Sequence, residues 1–145
     1  NPYRGRDPRL ACTILSNMTK FNGRPVECWT GGRDGKGVPR ATKTGQYLLK
    51  YIDPELNLLE GRTSVHTWVL IRLAEVYLNY IEALNEYQPA HSDIKIYYNK
   101  IRQREGIKMP ELPDGLDQDA VRQKIRHERR IELAFEDHRL WDARR

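Results

Sequence analysis

The chain has 145 residues, 39% of them hydrophobic and 31% charged, and its 25 Lys and Arg against 20 Asp and Glu give a net charge of +5. That length builds one domain with a real core, and no stretch approaches 18 consecutive apolar residues, so no segment reads as a membrane-spanning helix. The basic residues are interleaved with acidic ones, which argues against a nucleic-acid surface and leaves most charges as solvated helix faces and local ion pairs.

The opening stretch NPYRGRDPRL has no apolar segment and no small-residue cleavage site, so it does not read as a signal peptide. The closing Arg144-Arg145 comes without a Gly or Pro stop signal, and both ends read as cut from a larger protein. Composition divides the chain into residues 1–62 and 63–145. The first part is rich in Gly, Pro and Thr, and its alternating runs Leu10–Leu15 and Tyr47–Ile52 predict short strands. Asp7-Pro8 and the run from Gly31 to Gly37 read as turns. Trp29 stands in CWTGGRDGKG without apolar periodicity around it. Such a ring serves either as an exposed stacking or interface residue or as a plug onto the helices. Cys12 and Cys28 are too far apart for a Cys-x-x-Cys zinc motif, and they fit one disulfide or two thiols.

The second part predicts three helices. The first, residues 65–87, carries Leu70, Leu73, Ala74, Tyr77, Ile81 and Leu84 at helical spacing, with Val69, Val76, Tyr80, Ala83 and Tyr87 as a second apolar stripe. A helix apolar on two flanks packs between neighbours, and Pro89 ends it. The second, residues 92–105, has Ile94, Tyr97, Tyr98 and Ile101 on one side, Ser92 or Asp93 as its cap and Gly106 at its end. The short connection predicts an antiparallel helical hairpin. After the loop MPELPDGLD, Asp117 caps a third helix from about Gln118 to the end of the chain.

On that last helix Ile125, Ile131, Ala134, Phe135 and Trp141 gather on one side at about 100° per residue, with Glu128, Glu132 and Arg139 in their midst. Buried charge is tolerated when paired and hydrogen-bonded. The expectation is therefore a set of clasps between helices: Glu128, Glu132, Glu136 and Arg139 on the third, Arg72, Glu75 and Glu82 on the first, Arg102 and Arg104 on the second. The same glutamates do not read as a metal site. No Glu-x-x-His occurs, and His127-Glu128 fails the His-Glu-x-x-His pattern because position 131 is Ile. The histidines are scattered, no Gly-x-Ser-x-Gly turn exists, and Lys36 is followed by Gly where a phosphate loop needs Ser or Thr. The chain reads as no enzyme, with no cofactor.

Four stretches in order carry a resemblance: NPYRGRDPRL; TGQYLLKYI; RLAEVYLNYIEALNE with YNKIRQREGI; and ERRIELAFEDHRLWDARR. Together they resemble the C-terminal part of the SusD/RagB family of nutrient-binding outer-membrane lipoproteins of Bacteroidetes. Glu105, where that family usually has Ala, and Asp137, where Gly is common, are the departures. The resemblance implies a mainly α fold of helix pairs like tetratricopeptide repeats, with an irregular, short-strand-bearing capping region where ligand binds. It also implies capture of a glycan or peptide nutrient at the cell surface, without catalysis, for a SusC-like TonB-dependent transporter in the outer membrane. The lipid anchor of such a protein lies outside this sequence. Trp29 is then the first ligand-binding candidate, with Arg33 and Asp34 as hydrogen-bonding neighbours. The alternative is a helical-repeat scaffold that binds only another protein.

Overall fold

The structure is a computed structural model that describes residues 3–53 and 60–144. The Asn1-Pro2 start of the first resemblance stretch and the final Arg145 lie outside the described residues. Two compact units emerge, Asn1–Arg9 with Trp68–Arg145, and Leu10–Thr67. These bounds depart from 1–62 and 63–145 chiefly at the start of the chain. Residues up to Arg9 join the helical unit because the Arg9 guanidinium is held by Glu128 and Glu132.

In the strand-bearing unit, Leu10–Leu15 is not a strand. Asp7 accepts the Arg9 N–H at 2.9 Å and Pro8 presets its own backbone, two features that start a helix, and the short helix α1 (Arg9–Thr13) follows. Only β1 (Ile14–Leu15) is extended. It pairs antiparallel with β4 (Tyr47–Leu48), Ile14 opposite Leu48 and Leu15 opposite Tyr47, so the run expected from Tyr47 to Ile52 shrinks to two residues. A hairpin of β2 (Lys20–Phe21) and β3 (Arg24–Pro25) turns at Asn22-Gly23, both with positive φ. That conformation suits the twist of a two-residue hairpin loop, and Asn-Gly adopts it at little cost. Among the described residues of this unit Leu15 and Val26 are the buried apolar ones.

The helical unit contains α2 (Leu73–Tyr87), α3 (Ser92–Arg102), α4 (Gln118–Glu132) and α5 (Arg139–Asp142). Helix α2 begins eight residues later than its apolar pattern suggests. Val65, Thr67, Val69 and Ile71 are β-branched and lose rotamer freedom in a helix. Arg72 is extended, at φ −139° and ψ 159°, and its side chain reaches away to Glu132 and Glu136. The cap of α3 is His91, whose Nδ1 accepts the Asp93 N–H, rather than Ser92 or Asp93. Asp117 caps α4 by accepting the Ala120 N–H at 2.7 Å.

Helices α2, α3 and α4 enclose a core of Leu78, Ile81, Ile94, Tyr98, Ile101, Leu112, Val121, Ile125 and Leu133. Tyr77 and Tyr80 pack their rings on Tyr97 at the seam of α2 and α3. The loop before α4 is pinned by Asn99, whose Oδ1 accepts the Leu112 N–H. Asn85 and Gln118 exchange side chain to backbone hydrogen bonds between α2 and α4.

The third helix does not run to the end of the chain. It stops at Glu132, and Phe135 and Asp137 take left-handed conformations at φ 63°. Asp137 thus occupies a backbone state that glycine adopts most easily. The break rotates everything beyond it. Phe135 and Trp141, expected in the core, are exposed, and so are Val76, Tyr80, Ala83 and Tyr87 of the second stripe on α2.

Candidate functional site

Two constructions stand out, one in each unit. In the helical unit, Glu128 is fully buried on α4, with Glu132 one turn on and Glu136 just past the helix end. The Glu128 carboxylate accepts from Arg9 Nη1 at 2.5 Å and Arg102 Nη1 at 2.6 Å. Glu132 accepts from Arg9 and Arg72 at 2.7 Å each, and from Arg104 Nη2 at 2.7 and 2.8 Å. Arg72 grips Glu136 with two parallel bonds of 2.7 and 2.8 Å and gives a third to the Glu132 carbonyl. Arg9 also binds both oxygens of Asp7. Guanidinium forks match carboxylates in this way because both groups are planar and present paired donors and acceptors.

The electrostatics follow from the contacts. Burial pushes the Glu132 carboxyl up, but hydrogen bonds from Arg72 and Arg9 and the charges of Arg104 and Arg72 outweigh it and hold its pKa down at about 2. Burial pushes Arg9 down, while the carboxylates of Asp7, Glu128 and Glu132 raise it above its ordinary value. Arg72 is likewise raised by Glu136 and Glu132 against its own desolvation. The result is a charge-balanced cluster whose oxygens are already spoken for by guanidiniums.

Of the residues expected in the clasps, Arg72, Arg102, Arg104, Glu128, Glu132 and Glu136 meet in this cluster. Glu75 and Glu82 do not. Glu75 lies 3.6 Å from His138 Nε2, and Glu82 lies 3.8 Å from Arg126 Nε. Arg139 is a correction. It is exposed on α5, with no ion pair among the described residues, because the left-handed turn at Phe135 and Asp137 ends the helical spacing that would have stacked it over Glu132. Three participants escaped the sequence reading. Asp7 and Arg9 come from the start of the chain, within the Arg-Asp-Pro-Arg stretch. Buried Arg129 binds Asp142 at 2.9 and 3.1 Å and Asn79 at 2.5 Å.

The second construction is the loop after β3. Asp34 binds Arg24 through two bonds of 2.7 and 2.8 Å and accepts the Glu27 N–H at 2.9 Å. The Arg24 bonds, then the Glu27 N–H, hold the Asp34 carboxyl down at about 2. The Asp34 carbonyl accepts from the Tyr47 hydroxyl at 2.8 Å, which in turn accepts the Thr42 N–H. The Cys28 N–H goes to Asn17 Oδ1. A Cβ on Gly32 would collide with the Glu27 carbonyl oxygen, and one on Gly35 with that of Trp29. Glycine is required where backbones approach this closely.

On this pinned loop Trp29 is 46% exposed, and the Arg33 side chain is 72% exposed with only a 3.8 Å approach to Glu27. Asp34 differs from both, since its carboxylate is consumed in holding the loop. Cys12 and Cys28 are free thiols.

The family model described as the SusD family matches residues 1–145. Among curated proteins, SusD-like protein P2 of Formosa agariphila is 41% identical over 90 residues, 59% of this chain and 18% of that protein. SusD-like protein P25 of the same organism is 40% identical over 75 residues, 51% of this chain and 14% of that protein. A crystal structure of a SusD-like protein from Bacteroides fragilis superposes with a TM-score of 0.85 at 30% identity, covering 98% of this chain and 28% of that one. A SusD-like carbohydrate binding protein from the same species gives 0.76 at 28% identity, covering 98% and 29%. This chain spans less than a third of these relatives' length.

Removing one partner from a buried ion cluster leaves charge uncompensated, so Glu128→Ala is expected to cost about 3–5 kcal/mol. Urea denaturation checks this, with the exposed Lys124→Ala within about 0.5 kcal/mol of the parent. Acid gives a second check. Glu132 titrates at about 2 when folded against 4.5 as its ordinary value, so the unfolded chain takes up the proton first as pH falls. Its contribution is fully present above about pH 4.5 and is lost toward pH 2. Helicity followed by circular dichroism should fall in that window, and Glu132→Gln should flatten the stability–pH slope there.

Proposed function

The chain belongs to the SusD family, and from that premise we propose that it is part of a non-catalytic protein that captures nutrient glycan or oligopeptide at the cell surface and passes it to a TonB-dependent outer-membrane transporter. The single observation that carries the binding reading is a half-exposed Trp29 on a loop fixed by backbone and ion-pair contacts. A rigid indole presents a flat apolar face with a polar edge at low entropic cost, which suits the apolar face of a sugar ring or a peptide side chain. Arg33, four residues on, offers exposed guanidinium donors to ligand hydroxyl, carbonyl or carboxylate oxygens. Asp34 acts here as a positioning residue. Its oxygens face Arg24 and the Glu27 N–H, and through them it holds the loop that bears Trp29.

The non-catalytic part of this reading is supported by membership of the SusD family, and the most buried carboxylates are used in structural pairs. Glu128, Glu132 and Glu136 are locked to arginines. Asp34 is locked to Arg24. The supporting likeness is a solved relative described as carbohydrate binding.

The test is calorimetry of the full-length protein against a panel of oligosaccharides and oligopeptides. Trp29→Ala should weaken the ligand found by about tenfold or more, equivalent to about 1.4 kcal/mol, with far-ultraviolet circular dichroism unchanged. Undiminished affinity in Trp29→Ala overturns the site. Copurification with a transporter and no small-ligand affinity favours the helical-repeat scaffold instead.

A further inference from the structure

The loop that bears Trp29 carries more positive charge than its own acids can take up. From Lys20 to Lys43 the cationic residues are Lys20, Arg24, Arg33, Lys36, Arg40 and Lys43, and the acidic ones only Glu27 and Asp34. Both acids are engaged. Asp34 closes on Arg24 and the Glu27 N–H, and the Glu27 carboxylate accepts the Arg33 N–H at 3.2 Å and stands 3.8 Å from Arg33 Nε. Lys20, Lys36, Arg40 and Lys43 are exposed and form no ion pair among the described residues. In the helical unit, by contrast, the buried carboxylates draw arginines inward.

The backbone gathers this charge around the indole. Gly32 donates to the Trp29 carbonyl, Gly35 to Gly32, Val38 to Gly35 and Ala41 to Val38, a run of tight turns from Trp29 to Ala41. Gly32 and Gly35 both lie against the backbone of residues 27–29, so Arg33 and Lys36, their immediate neighbours in sequence, start beside Trp29. The Tyr47 hydroxyl takes the Thr42 N–H and gives to the Asp34 carbonyl, which ties the Arg40–Lys43 stretch to the same loop. An exposed lysine alone names no ligand, since water solvates it well. A surplus of cations around an exposed indole, on a loop whose acids are already occupied, presents a flat stacking face inside a positive field.

We propose that the Trp29 loop takes an anionic oligosaccharide, a sugar ring lying on the indole and its carboxylate or sulfate groups meeting Arg33 and Lys36. The inference rests on the reading of Trp29 as a ligand-binding residue and narrows the substrate class of that site. The Arg33 fork matches the paired oxygens of a carboxylate or sulfate, and Lys36 supplies a point charge with rotatable donors. Arg40 and Lys43 add to the field that draws the anion in. A neutral glycan would use the indole and leave the cations idle. A peptide docks by extending a sheet edge or lying in a groove, and the strands of this unit are two residues long each, too short an edge to extend.

Calorimetry of the full-length protein tests this with two matched pairs, oligogalacturonate with its methyl ester and a sulfated oligosaccharide with its desulfated form. At least one anionic member should bind tenfold or more tighter than its neutral counterpart, and the pair that discriminates tells whether carboxylate or sulfate is read. That affinity should fall several-fold between about 0.05 and 0.5 M salt. Arg33→Ala combined with Lys36→Ala should weaken the anionic ligand about tenfold with circular dichroism unchanged, and Lys36→Arg should retain the affinity. Equal affinity for charged and neutral members, or no binding of either anionic one, overturns the proposal. In the first case a loss of affinity in Trp29→Ala would leave the ligand site itself standing. Anionic preference that survives the double substitution also overturns it, as does binding of polyglutamate or oligothymidylate as tight as that of the oligosaccharide.

Discussion

Glu132 is the point on which the helical unit closes. Its carboxylate receives three arginines from three separate places: Arg9 near the start of the chain, Arg72 just ahead of α2, and Arg104 just after α3. Glu128 and Glu136, above and below Glu132, complete the arrangement with Arg9, Arg102 and Arg72. A buried ion cluster of this kind adds little net stability over an apolar substitute. What it supplies here is geometry, because a bidentate guanidinium fixes both distance and plane, whereas apolar contacts tolerate sliding.

That constraint explains two features that apolar patterning does not. Arg72 takes an extended backbone so that its guanidinium can span Glu132 and Glu136, and this sets the first turn of α2 at Leu73. The chain beyond Glu132 bends through the left-handed Phe135 and Asp137, keeping Glu136 beside Arg72 while α5 swings Asp142 onto Arg129. The apolar core of α2, α3 and α4 supplies most of the burial, and the ion cluster decides the register in which it is achieved.

Much of this was legible in the chain itself. The helical hairpin, the Asp117 cap and the presence of carboxylates on the inner side of α4 all follow from 3.6-residue periodicity and from the rule that buried charge seeks partners. The failures share a cause. Arg139, Phe135 and Trp141 were placed by extending a helix through residues whose left-handed backbone no periodicity reveals. Arg9 joins its glutamates across more than a hundred residues of sequence, a distance over which spacing carries no information. In the strand-bearing unit, Trp29 stood out by composition, but the role of Asp34 depends on Arg24, Glu27 and Tyr47 closing around one loop, and only the structure brings those together.

Glu128, Glu132, Glu136 and Asp34 are spent on architecture through their arginine partners, while Trp29, Arg33 and the outer side of α2 are exposed. The most direct measurement of the central claim is a double-mutant cycle on Arg9 and Glu128, read by chemical denaturation. If long-range ion pairing organises the helical unit, the two substitutions should couple by about 1–3 kcal/mol. Strictly additive effects would contradict it.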